Sequence, residues 1–255
     1  MLKNERQALI MNMVERQKFV KVMDLKDLFH VSDETIRRDL ADLEKTGQLH
    51  CVHGGAVYDT SSVNEYHVNL RAQQNQEEKK SICQFAVNLI ENGASIAIGG
   101  STTCQYLKDP IMNKSNLTVI TNSLILADSI SLNKTNRVIL TGGDIWGDDR
   151  KTMGTLAERT FRSHNVDLAF ISVAGISAEK GITDFKEQEV ALTQAIIYSA
   201  KRVILLCDHT KFDFEAFRKV ADLSQIDDIV TDHETPAEEL RKYEELGIRV
   251  HKGRK

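Results

Sequence analysis

Residues 32–47, SDETIRRDLADLEKTG, decide how the first part of this chain folds. A helix over this run, at 100° per residue, places Leu40 and Leu43 within about 40° of Ile36, so the three form a buried stripe. Ser32 stands where an N-cap is needed, Asp33 and Glu34 fall in the first turn where the helix dipole favours negative charge, and Val31 can staple onto Ile36. The stripe assigns the opposite face to Glu34, Thr35, Arg38, Ala41 and Lys45, with Arg37 on the flank. Gly47 follows as a C-terminal stop.

Upstream, the apolar spacing from Met1 to Val14 predicts a first helix, a break follows over Glu15 to Val20, and a short second helix lies near Met23 to Phe29. Downstream, Gln48 to Val57, with Gly54-Gly55 at its turn, predicts a small hairpin. Helix, helix, turn, helix and hairpin is the order of a winged helix-turn-helix, whose last helix enters the major groove by its N-terminal residues. Arg38 is the candidate base reader, because arginine bonds guanine bidentately, while Arg37, Thr35 and Ser32 are placed to grip phosphates. Residues 1–58 carry nine Lys/Arg and nine Asp/Glu, so any grip on DNA is local and owes nothing to bulk charge. The same periodicity would also serve a solvated helix in a small protein-interaction module.

The whole chain has 255 residues, 41% hydrophobic and 27% charged, with a formal net charge of −4. That composition supports a sizeable core and excludes a disordered, one-signed polymer. Its length favours a small domain joined to a larger one. Lys3, Glu5 and Arg6 interrupt any leader-like apolar run, and no stretch reaches the length of a membrane span, so the protein is expected in the cytoplasm, away from membrane. Cys51, Cys83, Cys104 and Cys207 are scattered, which suits reduced thiols and offers no zinc spacing; His50 and His53 beside Cys51 lack a second ligand pair. No metal or cofactor is expected.

Residues 59–76 are polar and nearly free of apolar periodicity, a linker between a domain over 1–58 and another over 77–255. Beyond it, six β-branched runs starting at Ser95, Thr118, Arg137, Leu168, Arg202 and Asp227 alternate with helical patterns, which predicts a mostly parallel α/β sheet. Each run ends in polar or glycine-rich residues: Gly99-Gly100-Ser101-Thr102-Thr103, Thr121-Asn122-Ser123, Thr141-Gly142-Gly143, Ala174-Gly175, Asp208-His209-Thr210-Lys211 and Thr231-Asp232. Ligands of open α/β sheets bind beyond the carboxyl ends of the strands, and glycines there let backbone N–H groups approach an anion. A phosphate is the natural guest, but neither a P-loop lysine nor a Gly-x-Gly-x-x-Gly follows the first strand, so a small phosphorylated compound fits better than a nucleotide. Each turn taken singly is equally explained by turn and cap chemistry. Asp184, Glu187 and Glu189 can supply a carboxylate to sugar hydroxyls, or simply begin a solvated helix. Trp146 serves as a lid or as packing, and Lys252 to Lys255 is a solvated basic tail.

Ser32 to Gly47 followed by His53-Gly54-Gly55-Ala56 closely resembles the DeoR-type regulators, whose helix-turn-helix ends in this Thr-Ile-Arg-Arg-Asp-Leu run. The resemblance adds His53 and Gly54 of the wing to the DNA-binding residues. Family members often carry basic residues just before the wing glycines, where this chain has His50 and Cys51. From about Glu77 to Asp232 the chain also resembles the family's sensor domain, which is similar in fold to phosphosugar isomerases. The resemblance implies that Ser101, Thr102, Thr103, Asn122, Ser123, Gly142, Gly143 and Lys211 line an effector pocket, and it points to Arg71, Asn75 and Lys79, which recur every four residues and would share a helix face. Gly100, Gly175 and Glu189 complete the candidate set.

These readings converge on a DNA-binding regulator, expected to repress sugar-metabolism genes from a double-stranded operator and to answer to a small phosphorylated sugar. Paired operator half-sites imply a homodimer or homotetramer. Two rivals stand beside it: a phosphosugar isomerase or deaminase-like enzyme with an appended DNA-binding domain, and a sensor-like domain that serves only as a ligand-free dimerisation platform.

Overall fold

The computed structural model describes residues 3–17, 19–45, 49–52, 54–57, 74–146 and 150–253. The chain divides into two compact units, Met1–Arg71 and Ala72–Lys255. Gly47, His53, Arg71 and the linker body 59–73 lie outside the described residues, as does the side chain of Trp146.

The first unit runs α1 (Lys3–Gln17), β1 (Phe19–Lys21), α2 (Val22–Phe29), α3 (Asp33–Lys45), β2 (His50–Val52) and β3 (Gly55–Val57). Its core is one cluster of Ile10, Val14, Val20, Val22, Leu25, Ile36, Leu40, Leu43, Leu49 and Ala56. Each of the larger of these contributes roughly 1.5–3 kcal/mol by leaving water. The stripe expected of α3 is therefore the buried one, and the Ser32 cap is present: its Oγ accepts the Thr35 N–H at 3.3 Å. Val31 packs against the same cluster.

Two corrections concern the stretch expected as a break between the first helices. Helix α1 continues to Gln17, and Phe19–Lys21 is a strand that pairs antiparallel with β3, giving a sheet in the order β1-β3-β2. Three residues are too few for periodicity to reveal; the pairing exists because β3 offers an open edge. The hairpin turns at Gly54, whose φ of +82° lies where glycine costs least, and the Gly54 carbonyl accepts the Val22 N–H at 2.8 Å.

The second unit is built on a seven-stranded sheet of β4 (Ser95–Ile98), β5 (Thr118–Thr121), β6 (Arg137–Leu140), β9 (Val166–Ile171), β12 (Ala200–Leu206), β14 (Asp228–Thr231) and β15 (Arg249–Lys252), in the order β15-β14-β12-β9-β4-β5-β6. Every pairing in it is parallel. The alternation of side chains along each strand divides the core in two. Ala97, Ile120, Ala169, Ile171, Leu205 and Ile229 belong to one apolar cluster, and Ile96, Ile98, Val119, Phe170, Leu206 and Val230 to the other.

Helices α4 (Gln76–Ala86), α5 (Leu124–Ser131), α6 (Thr155–Arg162), α7 (Glu187–Ser199) and α8 (Ala237–Glu245) flank the sheet. Between β4 and β5 the crossover is made by two short 3-10 segments, Cys104–Lys108 and Pro110–Asn113, and Pro110 begins the second of them. The seventh strand, β15, corrects the reading of Lys252 as part of a solvated tail. Two smaller sheets accompany the main one: an antiparallel hairpin of β7 (Asp144–Trp146) and β8 (Lys151–Met153), and a three-stranded sheet of β10 (Gly175–Ser177), β11 (Gly181–Asp184) and β13 (Arg218–Ala221).

The strand order sets where a ligand can enter. From β4 the chain builds outward through β5 and β6, then returns to the other side of β4 with β9 and builds outward through β12, β14 and β15. The order reverses between β4 and β9, so the loops leaving their carboxyl ends diverge and open a crevice there.

Candidate functional site

The crevice at the switch point is a cleft of about 300 Å³, counting space open to solvent. It is lined by Gly99, Gly100 and Ser101 after β4, Asn122 after β5, Ile171 and Ser172 at the end of β9, and Glu189, Leu192, Thr193 and Ile196 of α7. Of the residues expected at an effector site, the cleft brings together Gly100, Ser101, Asn122 and Glu189.

The Gly-Gly-Ser-Thr-Thr loop is held chiefly by its own backbone and by Asn122. The Gly99 N–H reaches the Phe170 carbonyl and the Ser101 N–H the Gly99 carbonyl, each at 3.0 Å. The Gly100 N–H donates to Asn122 Oδ1 at 2.7 Å, and the Asn122 amide donates in turn to the Thr152 carbonyl at 3.0 Å. Buried Asn122 is thus a brace for the loop. Ser101 Oγ accepts the Cys104 N–H at 3.0 Å. The N–H groups of Thr102 and Thr103 have no acceptor among the described residues.

Helix α4 approaches this loop. Cys83 of α4 donates its Sγ–H to the Thr103 carbonyl at 3.2 Å, and Lys79 stands one turn earlier on the same helix face. Lys79 is 3% exposed, and its Nζ donates to the Gln74 carbonyl at 2.8 Å. Asp208, after β12, accepts Asn75 Nδ2 at 3.1 Å and bonds Thr210. Burial pushes the Asp208 carboxyl up, but the Thr210 hydrogen bond and the charges of Lys211 and Lys79 outweigh it and hold the group below the usual carboxylate range. Lys79 and Lys211 thus form a lysine corner around Asp208, with buried Asp232 close by, its carboxylate accepting the His209 N–H at 2.7 Å. Asn75 does not continue the helix face of Lys79 as expected: its φ of 52° is left-handed, and α4 starts only after it.

The remaining candidates stand elsewhere. Ser123 is buried and caps α5, its Oγ accepting the Leu126 N–H at 3.3 Å. Gly142 and Gly143 are exposed beside the β7–β8 hairpin, where a Cβ on Gly143, at φ +128°, would lie 2.2 Å from the Met153 carbonyl oxygen. Gly175 is likewise a close approach, 2.2 Å from the Phe214 carbonyl oxygen by the same measure. Among the carboxylates of α7, Glu187 faces Arg218 at 3.3 Å, and only Glu189 lines the cleft. Sequence reasoning missed Lys151 of β8, which pairs with Glu189 at 2.5 Å. It also missed the role of Asp208 as the hub of the lysine corner.

In the first unit α3 presents Glu34, Arg37 and Arg38 to solvent, with Thr35 half-buried. Arg37 is paired along the helix with Asp33 at 2.9 Å. Arg38 has no ion-pair or hydrogen-bond partner among the described residues, so its guanidinium is available to a ligand. Ser32 Oγ also contacts Thr35 Oγ1 at 2.8 Å. The aspartate that follows the two arginines faces inward: Asp39, 1% exposed, accepts Arg6 Nε at 2.5 Å and Gln7 Nε2 at 3.3 Å, which ties α1 to α3 and sets the angle at which α3 is displayed. Among the described residues no group of three His, Cys, Asp or Glu could hold a metal ion, and no helix is long and apolar enough to cross a membrane.

Comparison with known proteins covers both units. Residues 6–62 match the DeoR-like helix-turn-helix domain and residues 74–233 the DeoR C terminal sensor domain. An uncharacterized HTH-type transcriptional regulator, YulB of Bacillus subtilis (strain 168), is 33% identical over 250 residues, covering 98% of this chain and 96% of the relative. The glycerol-3-phosphate regulon repressor of Escherichia coli (strain K12) is 31% identical over 236 residues, covering 92% of this chain and 93% of that protein. Ribose 5-phosphate isomerase from Plasmodium falciparum is a loose structural likeness, with a TM-score of 0.39 and 13% identity over 52% of each chain.

Proposed function

This chain belongs to the DeoR family and is a DNA-binding transcriptional repressor, and on that premise we propose that it represses sugar-metabolism genes under the control of a small phosphorylated sugar bound at the carboxyl ends of the sheet strands. The observation that carries the proposal is the lysine corner: Lys79 and Lys211 around Asp208, beside the unaccepted N–H groups of Thr102 and Thr103. Backbone donors together with lysine ammonium groups suit a phosphate. The repressor named for glycerol 3-phosphate, at 31% identity, supports a phosphorylated polyol or sugar as the effector class.

In this reading residues 1–58 form the DNA-binding domain, 59–76 the linker and 77–255 the sensor. Arg38 reads a base while Ser32, Thr35 and Arg37 grip phosphates, and His53 and Gly54 bind DNA from the wing. The effector has unequal affinity for DNA-competent and DNA-incompetent states, since only such a difference can couple the two sites. A homodimer or homotetramer matches paired half-sites.

The test is a thermal-shift screen against sugar phosphates and their unphosphorylated counterparts, followed by DNA binding to the protein's own upstream region with each hit. A ligand at a hundredfold its Kd stabilises by about 2.7 kcal/mol. A phosphorylated hit that releases DNA is the expected result. Stabilisation by no phosphate, with DNA still bound, would instead favour the dimerisation platform. Arg38→Ala is expected to weaken binding to the operator by about 1–3 kcal/mol and relax its specificity, with effector stabilisation intact; unchanged operator affinity would remove Arg38 from the base-reading role.

A further inference from the structure

One charged pair stands at the cleft apart from the lysine corner. Glu189 Oε1 meets Lys151 Nζ at 2.5 Å, with the two side chains 22% and 7% exposed. The lysine is fixed from behind. Lys151 lies in β8, bridged to Ser123, while the neighbouring Thr152 N–H donates to the Asn122 carbonyl at 2.8 Å and the Arg150 carbonyl accepts the Leu124 N–H at 2.9 Å. Gly100 leaves room for it: a Cβ there would stand 3.2 Å from Lys151 Cβ and 3.0 Å from Asn122 Oδ1.

The pair joins one ammonium to one carboxylate. It offers a fixed carboxylate, which accepts hydrogen bonds. One Glu189 oxygen is taken by Lys151, and the other has no partner among the described residues. Ile171 lines the same cleft, as do Leu192 and Ile196, three and seven residues beyond Glu189 on its own helix. A carboxylate oxygen beside apolar side chains suits a carbon chain that bears hydroxyl groups.

Resting on the effector reading above, we propose that Lys151 is a positioning residue that aims Glu189 at an effector hydroxyl, and that this contact makes the cleft select hydroxyl-bearing phosphate esters over their deoxy counterparts. The anionic end is bound at the lysine corner and the hydroxyl-bearing carbons at Glu189. A hydrogen bond from a hydroxyl to a charged acceptor in a half-buried site distinguishes the two ligand types by about tenfold to a hundredfold.

Calorimetric titration of the full chain with glycerol 3-phosphate, glucose 6-phosphate and fructose 6-phosphate, and with propyl phosphate and inorganic phosphate as hydroxyl-free probes, tests this. Wild type is expected to bind at least one hydroxyl-bearing ester tenfold or more above propyl phosphate. Lys151→Met should erase that preference without changing the affinity for propyl phosphate, Lys151→Arg should restore it, and Lys151→Met added to Glu189→Gln should have no further effect. Should Lys151→Met fail to fold, the near-isosteric Glu189→Gln carries the test alone and should lose the same preference. Retained preference in Lys151→Met, or equal weakening of propyl phosphate, overturns the positioning role while leaving the effector reading intact. If none of the five probes binds wild type, the effector reading fails for this class and the inference fails with it.

Discussion

The two edges of the seven-stranded sheet carry similar side chains in opposite states of satisfaction. At the amino ends of the strands Asp228 and Asp167 are richly supplied with donors. Buried Asp228 accepts two bonds from Arg202 at 2.7 and 2.8 Å, two from Arg249 at 3.0 and 2.9 Å, and one from His251 at 2.8 Å. Asp167 is held well below the usual carboxylate range by hydrogen bonds from Ser95 and by Lys201. At the carboxyl ends, the Thr102 and Thr103 N–H groups lack acceptors and Glu189 keeps one oxygen unpaired among the described residues. Networks that are complete stabilise; those left incomplete are where a ligand can add something.

The sharpest way to break this contrast is Asp228→Asn. Burial pushes the Asp228 carboxyl up, but the bonds from Arg202, Arg249 and His251 prevail and hold it far below its ordinary value. Removing the charge leaves two guanidiniums facing a neutral amide, at a cost of about 3 kcal/mol, which lowers the thermal midpoint by about 6–12 °C. Ligand affinity should not move. Because the folded pKa lies below the unfolded value of about 3.9, Asp228 stabilises the fold above that pH, and the contribution is lost as pH falls towards the folded pKa. Wild-type stability should therefore drop on acidification below about pH 4, and the variant, with no carboxylate to protonate, should show a shallower decline. Equal acid limbs in urea melts would show that the cluster does not govern acid stability.

Lys211→Met tests the other edge. Half-buried Lys211 helps to keep Asp208 ionised, yet Lys79 and Thr210 remain to do so, and the change in stability should stay under about 1 kcal/mol. The affinity for the phosphorylated hit should fall about tenfold, ~1.4 kcal/mol. A loss of stability with unchanged affinity would make this edge structural like its opposite.

The contrast also explains what could be read without coordinates. The five inner strands are legible because they are buried on both faces and so appear as β-branched runs, and edge strand β6, only partly buried, because Val138, Ile139 and Leu140 form an unbroken apolar run. Edge strand β15 is not, because Arg249 and His251 serve the Asp228 cluster and break the apolar pattern; Gly247 at the end of α8, with φ +85°, is the signal that could have exposed it. Helix α3 is legible from Ile36, Leu40, Leu43 and Ser32, but the buried place of Asp39 depends on Arg6, far away in sequence. The cleft is half legible. Glycines mark strand ends without saying why they are needed: Gly100 leaves room for Asn122 and Lys151, whereas Gly143 and Gly175 admit the backbones of Met153 and Phe214. Lys151 sits in the polar run DDRK, where nothing marks it as an inward-facing residue.

Ser123 poses the smallest and most discriminating case, since it sits at the incomplete edge and yet is complete. Its Oγ accepts the Leu126 N–H at 3.3 Å as the cap of α5, and its N–H donates to Thr121 Oγ1 at 3.1 Å. A side chain already committed to a cap has little to give a ligand, although family resemblance puts Ser123 in the pocket. Ser123→Ala should therefore cost about 1 kcal/mol of stability, the usual value of a lost cap. Affinity for the phosphorylated hit should stay within about twofold, because less than ~0.5 kcal/mol then separates the two proteins. A fall of tenfold or more, with a melting midpoint close to wild type, would place the hydroxyl on the ligand and widen the incomplete edge by one strand end.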